Sequence, residues 1–128
     1  EIRGQITPDN IQVFGIVATG AQEVPAVDTA ATGAGAFTLN TTTGALSGSV
    51  TITGITANMA HIHEGEAGAN GGVILGLEGM DGVWSVPSST TLDADQMMTM
   101  QAAGYYTNFH SDAFPSGEIR GQVTLGFE

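Results

Sequence analysis

From residue 11 to residue 125 the apolar side chains recur mostly with a period of two, in short runs set apart by glycine-rich turns. Successive side chains of a strand project to opposite faces, so this alternation is the mark of strands with one buried face. The runs fall at residues 11–19, 35–39, 46–53, 59–63, 73–77, 82–86, 105–110 and 118–125, with a hairpin turn at 40–44. Seven or eight short strands at regular intervals predict an all-β fold, a Greek-key antiparallel β-sandwich or barrel. One segment departs from the pattern. Residues 92–103 lack alternation and are rich in helix formers, so one short helix is expected at about 93–103. Asp93 is its expected N-cap, Gln96 the capping-box partner, and Gly104 the left-handed residue that closes it. Met97, Met98 and Met100 read as packing contacts rather than ligands. Trp84, Tyr105 and Tyr106 read as packing anchors in a core of small and β-branched side chains, with lining of a site beside His110 the alternative for Tyr106.

At 128 residues the chain has the size of one domain. A self-comparison adds a boundary: Glu1-Ile2-Arg3-Gly4-Gln5-Ile6 recurs as Glu118-Ile119-Arg120-Gly121-Gln122-Val123, 117 residues later. A spacing that long is a domain period. Residues 1–6 therefore read as the end strand of a preceding copy in a tandem array, and residues 7–128 as a single domain. Neighbouring repeats or further copies of the chain are the expected protein partners. Both arginines lie in the two copies, and the chain has no lysine. Thirteen acidic residues bring the formal net charge to −11, which opposes binding to nucleic acid or to an anionic membrane surface. The acids are scattered and no calcium-loop motif is present, so the charge reads as an adaptation to an extracellular or saline setting. No apolar run reaches the length of a membrane span.

With no cysteine in the chain, any metal must take nitrogen or oxygen ligands. Of three histidines, two form His61-Ile62-His63 inside an expected strand. Side chains at i and i+2 share a face with Cβ atoms about 6.5–7 Å apart, so both imidazoles can converge on one ion at about 2 Å. His110 ends the run from Tyr105, sharing a face with Tyr106 and Asn108. If the two strands are neighbours, three imidazoles meet. Acidic, glycine-rich loops follow at 64–72 and 111–117, and their carboxylates are candidates for fixing the imidazole tautomers. Gln22 and Glu23 are further candidates for that supporting role, whereas Glu64 points to the opposite face from His63 if the strand continues. Three imidazoles suit copper or zinc. A structural zinc more often has four protein ligands, so zinc ranks below copper, and a blue-copper centre is excluded without cysteine.

The segments Thr19-Gly-Ala-Gln-Glu-Val-Pro25, Ala30-Ala-Thr-Gly33, Ala60-His-Ile-His63, Asn108-Phe-His110 and Pro115-Ser-Gly-Glu-Ile-Arg-Gly-Gln122 resemble the chordin-type domain called CHRD. That resemblance implies an extracellular, often tandem, β-sandwich module, secreted or periplasmic, and implies little about activity. Ala60-His-Ile-His-Glu-Gly65 is also similar to the His-x-His-Glu strand of copper-zinc superoxide dismutases, whose two histidines bind copper. His110, followed by Asp112, is similar to the later copper histidine of that family, and Arg120 to the arginine that guides superoxide. The bridging histidine, the zinc ligands and the disulfide have no counterparts here. The likeness therefore implies a copper-only site held by His61, His63 and His110.

Three functions are open at this level. One is a superoxide dismutase-like oxidoreductase with superoxide as substrate. Here Arg120 acts as a local catalytic pole, against a net charge that repels the anion beyond a Debye length of about 8 Å. The second is a copper-binding or storage module without turnover. The third is a structural or adhesive tandem repeat. Arg120 itself is either that anion guide or a partner in an ion pair with Glu118 or a loop carboxylate. Hydrolase motifs are absent: there is no G-x-S-x-G and no His-Glu-x-x-His.

Overall fold

Long antiparallel strands open the fold: β1 (Ile11–Thr19), β2 (Thr32–Asn40) and β3 (Leu46–Thr53) pair in sequence order. The structure is a computed structural model that describes residues 10–126, so the strand expected at residues 1–6 lies outside it. Period-two alternation sends Phe14, Ile16 and Ala18, Phe37 and Leu39, and Val50 and Ile52 into one core. On the other face hydroxyl pairs cross between strands, Thr32 to Thr53 at 3.1 Å and Thr38 to Ser47 at 2.7 Å.

The remaining strands are β4 (Ala57–Glu64), β5 (Val73–Gly76), β6 (Glu78–Met80), β7 (Val83–Ser85), β8 (Tyr105–Ser111), β9 (Ile119–Gln122) and β10 (Thr124–Leu125). Their order in the sheet is β5-β4-β8-β9-β1-β2-β3-β7-β6, with β10 added on β1. Because β9 returns beside β1, the run β9-β1-β2-β3 has the Greek-key order. The two ends of the sheet, β5 and β6, are separated along the chain by Leu77 alone, whose N–H donates to the Ala60 carbonyl at 2.9 Å. The sheet thereby nearly closes into a barrel. The all-β class expected from the alternation holds, with two strands more than the eight runs. The extra ones are the exposed ribbon strand β6 and the break at Val123, whose N–H turns to the Tyr105 carbonyl and divides the last run into β9 and β10.

Between β7 and β8 lies the helix α1 (Ala94–Gln101), closed at its start by the capping box of Asp93 and Gln96. Its end differs from expectation. The helix stops one residue early, so the left-handed conformation falls on Ala103 (φ 62°), while Gly104 donates to the Thr99 carbonyl. Met100 is buried and Met97 packs against the core, but Met98 is 61% exposed and is not the packing contact expected of it. Among the described residues no helix is long and apolar enough to cross a membrane.

One strand decides where the site lies. Every residue of β8 is buried, because Tyr105 and Phe109 enter the barrel core while Tyr106, Asn108 and His110 are covered from outside by loops. Phe109→Ala, at a fully buried position, is expected to cost about 3–5 kcal/mol, and Asp93→Ala about 1 kcal/mol through the lost cap. Chemical denaturation of the two variants checks both values.

Candidate metal centre

The register of three strands builds the outer face. β4 lies antiparallel to β8 with His63 opposite Tyr106, His61 opposite Asn108 and Met59 opposite His110. On the other side of β8, Gln122 of β9 stands opposite Tyr106 and Arg120 opposite Asn108. Ala60 and Ile62 point inward to the core, so the alternation that buries them turns both histidines of β4 outward. All three histidines are thus on one face of neighbouring strands.

Their rings pack closely: centroids are 5.6 Å apart for His61 and His63, 5.1 Å for His61 and His110, and 6.4 Å for His63 and His110. One ring nitrogen from each lies within 4.8 Å of the others. A single ion held at about 2.0–2.1 Å sets its donors no more than about 4.2 Å apart, so small side-chain rotations close the set on one ion. Burial, followed by the nearness of His110 and His63, holds His61 below the ordinary imidazole range. Burial also lowers His63, partly countered by its bond to Gly71, with His110 and Arg120 adding to the lowering. Both rings are therefore neutral at pH 7, the state a metal requires.

Backbone carbonyls orient the rings. His63 Nδ1 bonds to the Gly71 carbonyl at 3.0 Å and His110 Nδ1 to the Pro115 carbonyl at 2.8 Å. A carbonyl only accepts, so each Nδ1 carries the proton and each Nε2 presents a lone pair. His63 Nε2 is buried with no hydrogen-bond partner. His110 Nε2 lies 3.2 Å from His61 Nδ1; since His110 has its proton on Nδ1, the His61 Nδ1–H donates to it. His63 Nε2 and His110 Nε2 thus carry lone pairs in the resting protein, and His61 Nδ1, 3.2 Å from His110 Nε2, can join them once its proton has moved to Nε2. The carboxylates expected to fix the tautomers do not do so: Asp112 instead accepts from Asn58 at 2.8 Å.

The loop that supplies the Gly71 carbonyl is held by β9. Arg120, 1% exposed, donates to the carbonyls of Glu66 at 3.0 Å and Ala69 at 2.8 Å and to Asn70 Oδ1 at 3.2 Å. Gln122 Nε2 reaches the Gly65 carbonyl at 2.8 Å. Tyr106 completes the arrangement. Its ring stacks on His63 at 4.9 Å and 6°, lies 3.5 Å from Arg120 Cζ, and its hydroxyl accepts from Gly71 N–H at 3.1 Å. Gly71 admits no side chain, because a Cβ would collide with the Glu64 carbonyl. Glu118 does not pair with Arg120; its carboxylate accepts from the Thr29 and Ser111 hydroxyls, both at 2.6 Å. Gln22 braces β9, accepting from Gln122 N–H at 3.2 Å.

Sequence reasoning left the place of Glu23 undetermined. Its carboxylate oxygen Oε2 and Asn108 Oδ1 are both buried without partners, and both fill the space that a side chain on Gly117 (φ 126°) would need. Two facing acceptors are relieved when one gains a proton. Burial pushes the Glu23 carboxyl up to about 7, with Arg120 pulling it part of the way back. The folded chain therefore keeps this proton where the unfolded chain, at 4.5, has lost it, so its stabilisation is fully present below about pH 4.5 and fades as pH rises through 7. His61 and His63 tilt stability the other way, since lowered imidazoles lose stability as pH falls. Comparison with Glu23→Gln removes that background. The unfolding free energy of the unmodified chain minus that of the variant should shrink between about pH 5 and about pH 8; a flat difference contradicts a neutral Glu23.

Curated proteins and solved structures contain no match to this chain. The family model described as CHRD domain matches residues 14–123, a span that includes Glu23, the three histidines and Arg120. The chain belongs to the CHRD domain family.

Proposed function

We propose that this chain is an extracellular copper protein that holds one ion through His61, His63 and His110 and dismutes superoxide. The observation that carries the reading is the convergence of three imidazole nitrogens, with two tautomers set in advance by the carbonyls of Gly71 and Pro115. The preset lone pairs of His63 and His110 need no rearrangement on loading, and at His61 the proton moves from Nδ1 to Nε2 so that the ring stays neutral. An all-imidazole set without thiolate favours copper over the harder divalent ions, with zinc as the competing occupant. Bound copper supplies a one-electron couple that superoxide can alternately reduce and oxidise, so that two superoxide ions and two protons give dioxygen and hydrogen peroxide.

The chain's own residues set the conditions for that chemistry. Loop 64–72 and Tyr106 shield His63 from water, and Arg120 places a fixed positive charge behind the Tyr106 ring. Buried at 1% exposure, Arg120 would draw the anion by its field rather than by touching it, which makes it a positioning residue. The net charge of −11 favours a second reading, a copper-binding module without turnover, because it repels superoxide at long range. The family's extracellular character and the tandem hexapeptide suit either role.

Reconstitution with copper separates these readings. One tightly bound copper per chain is expected by elemental analysis, in preference to zinc. His63→Ala should lower the affinity beyond the roughly 10- to 100-fold that loss of a supporting partner costs. Superoxide consumption by the loaded chain should exceed that of the same copper on the His63→Ala variant. Stoichiometric copper without that excess supports the module reading, and no bound copper defeats both.

A further inference from the structure

Eight large apolar side chains are exposed among the described residues, and Met59 is the one on β4. It precedes His61 by two residues, so the strand period turns it to the histidine face, and it is the register partner of His110. Residues directly opposite in an antiparallel pair have Cβ atoms about 4.5–5.5 Å apart. An unbranched thioether at that distance reaches the ring of its partner.

Burial along this face is graded. Met59 is 50% exposed; His61 and His63 are both half-buried, with the His63 Nε2 atom itself sealed under loop 64–72 beside Tyr106; and His110, opposite Met59, is buried. The face therefore opens to water at the Met59 end. Hardness adds a chemical direction to the same gradient. A thioether is a soft donor that binds cuprous copper well and adds little for Cu(II) or zinc, whereas imidazoles accept all three.

We infer that Met59 is the outer ligand through which Cu(I) enters the three-histidine site, resting on the copper reading of that site. The order of contact runs from Met59 at the surface, to His61 and His110, to the sealed Nε2 of His63. Nothing is oxidised or reduced in this step. The thioether lends an electron pair to the arriving ion, and the His61 ring shifts its proton from Nδ1 to Nε2 by exchange with solvent, staying neutral.

The test is an anaerobic competition for Cu(I) against bathocuproine disulfonate, on the unmodified chain and on Met59→Leu, which removes the sulfur and keeps the apolar bulk. The variant should hold Cu(I) more weakly by on the order of tenfold, within the range over which single partners act on metal affinity. Its Cu(II) electron paramagnetic resonance spectrum should match that of the unmodified chain. X-ray absorption of the Cu(I)-loaded unmodified chain should contain a sulfur neighbour that the variant lacks. Equal Cu(I) affinities, or no sulfur neighbour in the unmodified chain, overturn the role of Met59 while leaving the histidine site standing. An unmodified chain that takes up neither Cu(I) nor Cu(II) overturns both.

Discussion

A guanidinium sealed under a loop is the constraint on which the rest of the site depends. Burying a charge costs several kcal/mol unless its donors are satisfied, and Arg120 meets that cost with the carbonyls of Glu66 and Ala69 and the side chain of Asn70. The bonds work in both directions. They keep the arginine in place, and they pin residues 66–70 so that the next residue, Gly71, aims its carbonyl at His63 Nδ1. Tyr106 ties the two ends together, lying against the guanidinium and the His63 ring and accepting the Gly71 N–H. Loss of Arg120 would leave His63 in its strand but without a fixed tautomer.

The same economy appears in β8, which belongs to two structures at once. Phe109 and Tyr105 fill the barrel, while His110, Asn108 and Tyr106 form the floor of the outer site. A barrel wall is a rigid base, and ligands carried on it are placed by backbone register rather than by flexible loops. The loops then add orientation. On one side residues 64–72 hold His63; on the other, the turn from Ser111 to Gly117 presents the Pro115 carbonyl to His110. Glu23 and Asn108 pack in the space left by Gly117, joining the segment after β1 to that second loop.

What could be read in advance follows from range. Period two and the Asp93 capping box are local, so the strands, the helix start and the shared face of His61 and His63 were all legible. The approach of His110 was legible only as a condition and through family likeness, because the pairing of β4 with β8 that brings it to His61, 49 positions away, is encoded in no local pattern. The tautomer-fixing groups were invisible for a different reason. Every residue has a carbonyl, so Gly71 and Pro115 carry no chemical label, whereas the acidic side chains nearby do. Arg120 was marked by the repeated hexapeptide, yet its partners lie in a loop about 50 residues away. Glu23 reads as an ordinary loop acid until the fold buries it, and β6 escaped because Glu78, Gly79 and Met80 show no alternation and are all exposed.

The central claim is that the fold itself sets the lone pairs of His63 and His110 before any ion arrives. Histidine tautomers can be observed directly by long-range nitrogen–proton correlation in the metal-free, nitrogen-15-labelled protein, above the imidazole titration range. The account expects the proton on Nδ1 of both His63 and His110, and on Nδ1 of His61 where it donates to His110. A proton on Nε2 of His63 or His110, or rapid averaging between the two nitrogens, would contradict it.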